Sequence, residues 1–221
     1  MPDWARVTEP TGALAGVAPG VQAQGVWAGR RQLFIRFAGE AETAVLYTAS
    51  KLGREIDRTV RQLPLHSIAL SGLDPLGNAD LLIAAFGGNA PALPVMADCR
   101  GERPEDVPRM APLLSLVQVT LDLSEPAGHT ERALATVAEA ARVGCAHAVV
   151  LAPRNGMTDA QLLRLIEQVH AASAGTKIVV HPPTEGESAG IERYGTLLEE
   201  GMAIHRDVRI AFRIPPPLGT R

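Results

Sequence analysis

Residues 21–49 read VQAQGVWAGRRQLFIRFAGEAETAVLYTA. Residues 33–37 within this stretch form a short apolar run that is rich in β-favouring side chains and includes Arg36. Its length and composition are typical of a buried β-strand. Trp27 precedes the run, where it could stack on a ligand or anchor a hairpin, and we favour the anchor. The stretch therefore predicts a first buried strand at 33–37.

Six similar apolar runs follow this strand, at 67–70, 93–97, 116–121, 148–152, 178–181 and 208–212. Helical patterns separate them, at 51–62, 78–85, 105–113, 130–142, 158–172 and 190–200. Alternation of strands and helices implies parallel strands joined by right-handed crossovers. The sequence predicts a single α/β domain over residues 1–221, either an open partial β/α barrel or a doubly wound sheet. Ligands would bind at the carboxyl ends of the strands in both.

The composition favours an ordinary globular protein. The chain has 221 residues, of which 46% are hydrophobic and 20% charged, and its net charge is −3. No basic block predicts nucleic-acid binding, and no apolar run approaches the roughly 20 residues of a membrane helix. We expect a cytoplasmic protein without a signal peptide. Its two cysteines, Cys99 and Cys145, fit a reducing compartment.

The stretch 21–49 resembles the cluster-binding region of the 7-carboxy-7-deazaguanine synthases, which are radical S-adenosylmethionine enzymes. In that family the region reads like IQGEG, then FIRLAG, then C-x-x-x-C-x-x-C-D-T. Residues 69–76, ALSGLDPL, likewise resemble the family's TGGEPL loop. The resemblance implies an open partial barrel of about six parallel strand–helix units. The residues of this chain that keep the frame are Gly25, Gly29, Arg30, Phe34, Ile35, Arg36, Ala38 and Gly39.

The resemblance places Glu40, Ala44 and Tyr47 at the three cysteine positions of the family. Iron–sulfur clusters are held by thiolates, so these residues cannot hold a [4Fe–4S] cluster. We expect no cofactor, and we do not predict S-adenosylmethionine binding. Because an unfilled cavity destabilises a fold, we expect Tyr47 to fill part of the space that the cluster would occupy.

The possible ligand-binding residues come partly from the resemblance and partly from strand ends. Gln24 stands where the family has a substrate-binding glutamate. Arg36 could bind an anion, although an ion pair or a packing role is favoured. The aspartates at strand ends could bind a cation, act as acid and base, or cap loops, and we favour capping. No histidine pattern predicts a metal site. The full set is Gln24, Gly25, Arg36, Ser71, Gly72, Asp74, Asp98 and Asp122.

Two functions follow from this reading. The first is a non-catalytic homologue, a pseudoenzyme, that serves as a binding, scaffold or partner subunit. Such a protein could form a homodimer or pair with an active paralogue. The second is a repurposed enzyme that uses carboxylates such as Glu40, Asp74, Asp98 or Asp122 for acid–base or metal-assisted chemistry on a small nucleotide-like ligand.

Overall fold

One nine-stranded sheet organises the chain. The computed structural model describes residues 8–88, 91–122, 127–153, 157–182 and 187–214, without the side chains of 122, 127 and 187–192. The strands are β1 (Thr11–Val21), β2 (Arg31–Phe37), β3 (Val45–Thr48), β4 (Ser67–Gly72), β5 (Val95–Cys99), β6 (Leu116–Asp122), β7 (Ala146–Ala152), β8 (Lys177–Val180) and β9 (Val208–Ile210).

The strand order is β3-β1-β2-β4-β5-β6-β7-β8-β9. Seven neighbouring strands pair in parallel, in the order in which they occur along the chain. They are β2, β4, β5, β6, β7, β8 and β9. β1 runs antiparallel to both β2 and β3 at one edge. The prediction of an α/β fold with a mostly parallel sheet is confirmed, and each of the seven predicted strands overlaps an observed one.

In the described ranges six α-helices connect the strands, and each overlaps a predicted segment. Helix α5 starts as expected, because Thr158 forms a capping box with Gln161. The segment predicted at 105–113 is shorter than expected, with one 3-10 turn before a single helical turn. The helices are α1 (Ala49–Gln62), α2 (Ala79–Ala85), α3 (Val107–Met110), α4 (Ala127–Arg142), α5 (Asp159–Ala172) and α6 (Glu187–Ile204).

The two faces of the sheet have different coverings. On the helix face, strand residues such as Ile35, Leu70 and Val149 join the helices in one large hydrophobic core. On the other face, which we call the open face, Phe34 and Met96 belong to a smaller apolar cluster. Successive strand residues point to opposite faces, so each strand serves both. In the described part of the chain, none of the helices is both long and apolar enough to cross a bilayer.

Candidate functional site

A nine-residue loop between β1 and β2 lies on the open face. We call residues 22–30 the cover loop. Its ends are joined by hydrogen bonds from Gln22 N to Arg30 O and from Gly29 N to Gln22 O, both 2.9 Å long. Its apolar residues, Val26 and Trp27, pack on the open-face cluster. The indole of Trp27 also meets the His66 ring edge-on, with ring centroids 5.2 Å apart. The loop therefore closes over the face that the helices leave uncovered.

Four side chains of β5, β6 and the end of β8 receive hydrogen bonds from the cover loop. We call Asp98, Gln118, Thr120 and His181 the acceptor wall. Gln22 Nε2 donates to Asp98 Oδ2 over 3.2 Å, and Gln24 Nε2 donates to Thr120 Oγ1 over 3.2 Å. The backbone amide of Gly25 donates to His181 Nε2 over 3.0 Å, and that of Val26 donates to Gln118 Oε1 over 3.1 Å. One wall thus binds both the side chains and the backbone of the loop.

Partners of fixed character determine how the glutamine amides are oriented. Gln24 Oε1 accepts from the Arg213 guanidinium over 2.6 Å, which leaves its NH2 group for Thr120. Gln22 Oε1 accepts from the backbone amide of Ala23, which leaves its NH2 group for Asp98. An arginine and a backbone N–H can only donate, so the opposite orientations would set donor against donor. The direction of each loop-to-wall hydrogen bond follows.

Asp98 is the acidic centre of the wall. Its two carboxyl oxygens accept from Gln22 and from Gln118, each over 3.2 Å. Burial raises the pKa of Asp98 above its ordinary value, whereas the hydrogen bonds from Gln118 and Gln22 and the positive charge of Arg213 act to lower it. Burial is the largest of these effects. Asp98 is therefore a partly buried carboxyl whose direct partners in the described chain are neutral amides.

His181 is held as a neutral imidazole. The residue is 3% exposed, and Nδ1 lies 2.6 Å from the carbonyl oxygen of Ala211. A carbonyl can only accept, so Nδ1 carries the proton and Nε2 offers its lone pair to the amide of Gly25. Burial lowers the pKa of His181, the hydrogen bond to Ala211 raises it, and the charge of Arg213 lowers it further. Geometry and electrostatics agree on the neutral form.

Gly25 is the point at which the cover loop comes closest to the wall. Its φ is +76°, and a Cβ built on it would lie 1.8 Å from Oε1 of Gln118. Both the backbone conformation and the contact require glycine here. Gly29 has a similar φ of +80°, but its nearest neighbour is Ile214 Cδ1 at 3.9 Å. Only the first of these two glycines is constrained by the wall.

The structure brings together three of the residues singled out from the sequence. Gln24 and Gly25 lie in the cover loop, and Asp98 lies in the wall that they contact or adjoin. Asp122 ends β6 on the strand that carries Gln118 and Thr120, but its side chain is outside the described part of the chain.

Three other predicted residues lie outside the hydrogen bonds of the wall. The Arg36 guanidinium forms an ion pair with Glu42. Ser71 lies on β4, where it pairs in register with Arg36. Asp74 accepts from the amide of Gly77 over 3.1 Å and from Arg103 over 2.9 Å, which is the turn-capping role that competed with ligand binding.

Gly72 has a backbone role. Its φ is +90°, and a Cβ on it would lie 2.1 Å from the carbonyl oxygen of Phe37. The close approach of two neighbouring strand ends therefore requires glycine at this position.

The three positions matched to cluster cysteines do not meet at one site on the open face. Glu40 and Ala44 are exposed in the connection between β2 and β3. Tyr47 is 8% exposed, but it belongs to the core on the helix face, where the Lys51 ammonium lies 3.9 Å from its ring centroid. Tyr47 fills space beneath α1 rather than space at the mouth of the open face.

Comparisons with known proteins do not support the radical S-adenosylmethionine resemblance. No family model matches the sequence, and no curated protein matches it. Among solved structures, the crystal structure of dihydropteroate synthase from Thermus thermophilus in complex with 6HMPPP matches with 19% identity. The match covers 72% of this chain and 80% of that chain, with a TM-score of 0.29. This likeness is too weak to carry an argument about function.

The predicted family membership is therefore wrong. Short pieces such as SGLDP carried the resemblance, and the residues in them have local structural causes, as Gly72 and Asp74 illustrate. The expectation that no iron–sulfur cluster is bound stays a prediction on chemical grounds. Cys99 and Cys145 are both buried, and burial raises the pKa of each thiol.

The site residues predicted from the sequence do not include four that meet here, which are Gln22, Gln118, Thr120 and His181. A usable signal exists in β6, where Gln118, Thr120 and Asp122 alternate with Val117, Val119 and Leu121. Alternation with period two puts the polar residues on one face of a strand. Among the described residues, no three His, Cys, Asp or Glu side chains are grouped as they would be to hold a metal ion.

Proposed function

We propose that this chain is a non-catalytic binding protein whose site is the acceptor wall, and that a small polar molecule reaches the wall when the cover loop moves away. The support comes from polar groups in an unexpected place. Asp98, Gln118 and His181 lie on a sheet face whose neighbouring residues form an apolar cluster. Convergent polar groups beside apolar surface are typical of ligand sites.

A purely structural filler of this face would not need such groups. Burying a polar side chain costs free energy unless a partner satisfies it, and apolar packing avoids that cost. The cover loop instead makes four hydrogen bonds to the wall, and Val26 and Trp27 pack on the apolar cluster. Arg213 and Ile214, which follow the last strand, add hydrogen bonds to Gln24 and Ala23. A loop held by replaceable hydrogen bonds is suited to exchange with a ligand that offers the same bonds.

Acid–base catalysis is the second candidate, because burial raises the pKa of Asp98. A carboxyl with a raised pKa is a candidate for proton transfer. The two candidates differ in what Asp98→Asn would do. In a binding protein the substitution weakens ligand binding, whereas in an enzyme it abolishes turnover of a ligand that still binds.

We further propose that the seven parallel strands form an open partial β/α barrel, with the cover loop across its interior. Consecutive strand order with helices on one face supports this arrangement. A homodimer or a heteromeric complex, the absence of nucleic-acid partners and a cytoplasmic location stay predictions.

Replacing Gly25 by alanine tests whether the wall is a ligand site. The new Cβ would collide with the Gln118 amide and would also strain the positive φ, so the loop should be displaced. Gly29→Ala is the matched control, since it carries the same backbone strain without contacting the wall. A fragment screen by two-dimensional NMR should give more and tighter binders at the wall in Gly25→Ala than in Gly29→Ala.

The proposal fails under a specific result. If amide exchange shows that the cover loop of Gly25→Ala is released, and no fragment then shifts the signals of Gln118 or Thr120, the wall is not a binding site. The proposal is also contradicted if the loop stays closed in both alanine variants and the two fragment screens find the same number of binders with the same affinities.

A further inference from the structure

The hydrogen-bonding character of the acceptor wall limits what can replace the cover loop. Asp98 Oδ2, Gln118 Oε1, Thr120 Oγ1 and His181 Nε2 all accept a hydrogen bond from it. The four loop groups that meet them are N–H groups, two from glutamine amides and two from the backbone. The loop is thus a built-in ligand made of nitrogen donors.

The lone pairs of the wall are fixed by bonds that do not involve the loop. The Nδ1–H group of His181 donates a hydrogen bond to Ala211 O, so Nε2 can only accept while the ring is neutral. The NH2 group of Gln118 donates a hydrogen bond to Asp98 Oδ1, so Oε1 of Gln118 remains an acceptor. Because these partners belong to the sheet or its edge, the wall keeps its acceptors when the loop leaves.

Asp98 and Gln118 are partners in the register of β5 and β6, so their side chains stand next to each other on one face. Loss of the loop frees Asp98 Oδ2 and Gln118 Oε1 together. Neighbouring acceptors of this kind match a planar N–C–N group that carries adjacent N–H donors. A partly buried carboxyl whose hydrogen-bond partners among the described residues are neutral amides would also gain from a donor with positive charge, in addition to the effect of Arg213.

We infer that the site takes a nitrogen-rich ligand with an amidine- or guanidine-type N–C–N edge, whose N–H groups replace those of the cover loop at Asp98 and Gln118. This inference rests on the proposed binding function. It disfavours ligands that offer only acceptors, such as carboxylates and phosphates, because Asp98 Oδ2, Gln118 Oε1 and His181 Nε2 would each face another acceptor, and among the four wall groups the Thr120 hydroxyl alone could turn to donate.

Three aromatic compounds of nearly equal size test the inference. Benzamidine offers two adjacent nitrogen donors, benzamide offers one donor and one acceptor, and benzoate offers acceptors alone. NMR titration of the full chain, as wild type and as Gly25→Ala, should rank them in that order, with each step about tenfold in affinity. Benzamidine should shift the amide signals of Gly25 and Val26 and the side-chain NH2 signals of Gln118.

Three substitutions on the same face locate the binding. Gln118→Met removes the acceptor Oε1 and nearly keeps the length of the side chain, and it should weaken benzamidine about fivefold. Ser71→Ala is the control, since Ser71 lies on β4 outside the hydrogen bonds of the wall, and it should leave the affinity unchanged. Asp98→Asn removes the negative charge of the carboxylate and should weaken the binding of benzamidine tenfold or more.

The possible outcomes separate the inference from the function beneath it. If benzoate binds at the wall as tightly as benzamidine, or if Gln118→Met binds benzamidine as tightly as Ser71→Ala does, the inference is overturned while the binding function stands. If neither benzamidine nor any fragment binds Gly25→Ala with its loop released, the binding function falls and the inference falls with it.

Discussion

His181 shows how a single residue controls the cover loop. Its Nδ1–H donates to Ala211 O, and its Nε2 accepts from the amide of Gly25. A second proton on the ring would sit on Nε2 and face the N–H of Gly25, so the protonated ring cannot hold the loop. Arg213, the charged group that acts on the ring, opposes protonation as well. The closed loop therefore requires a neutral histidine.

Acidification should open the cover loop. The pKa of His181 is lowered when the loop is closed, so the closed state binds fewer protons than the open state. Stability of the closed loop is then present at higher pH and is lost as the pH falls from about 7 to about 5. Hydrogen-exchange protection of residues 22–30 should decrease over this range in the wild type.

A non-titrating side chain provides the control for this pH effect. In His181→Gln the protection of the cover loop should be nearly independent of pH over the same interval. His66→Gln should behave as the wild type, since His66 meets the loop at the edge of the Trp27 ring and makes none of the loop-to-wall hydrogen bonds. Protection that falls equally in His181→Gln and in the wild type would show that another group governs the loop.

At this scale the sequence indicated only part of the site. Asp98 could be found because it falls near a strand end, whereas Gln24 was singled out only through a family resemblance that is wrong. Gln22 and Gln118 carry neither charge nor motif, and their importance comes from which groups the folded chain sets opposite them. Hydrogen-bond partners far apart in sequence, such as Gln24 and Arg213, are decided by the tertiary structure alone.

Elements with strong local signals were predictable, and weak ones were not. The seven parallel strands are apolar runs because both of their faces are covered, by helices on one side and by the cover loop and its apolar cluster on part of the other. β1 reads TGALAGVAPGV, with three glycines and Pro19, which are poor strand formers. It forms because β2 and β3 pair with it, and Pro19 lies where β1 has only β2 as a partner.

Helix α5 offers a direct test of local control over an element. Thr158 Oγ1 accepts from the amide of Gln161 over 3.3 Å, and Gln161 Oε1 accepts from the amide of Thr158 over 2.9 Å. Thr158→Ala should lower the free energy of unfolding by about 1 kcal/mol. Thr158→Ser keeps the capping hydroxyl and should retain most of the free energy of unfolding that Thr158→Ala loses. Urea denaturation measures both, and equal stability of the alanine and serine variants would argue against the cap.

The whole molecule divides into a well-packed layer and a replaceable cover. The sheet and its six helices share one continuous core, in which Leu70, Val149 and Ile166 are fully buried. The cover loop has a small apolar contact and four hydrogen bonds to the wall. Regions with few buried apolar contacts open more easily than a core does. We therefore expect the loop to open while the sheet remains folded.

Amide hydrogen exchange of Gly25 and Val26 in the wild-type protein measures this opening directly, because both N–H groups are hydrogen-bonded to the acceptor wall. We predict protection at least about 100-fold weaker than that of Val149 and Val150 in β7, since the loop opens locally and the sheet opens only on global unfolding. Protection of Gly25 and Val26 equal to that of β7 would contradict the account, because the loop would then be a fixed part of the core.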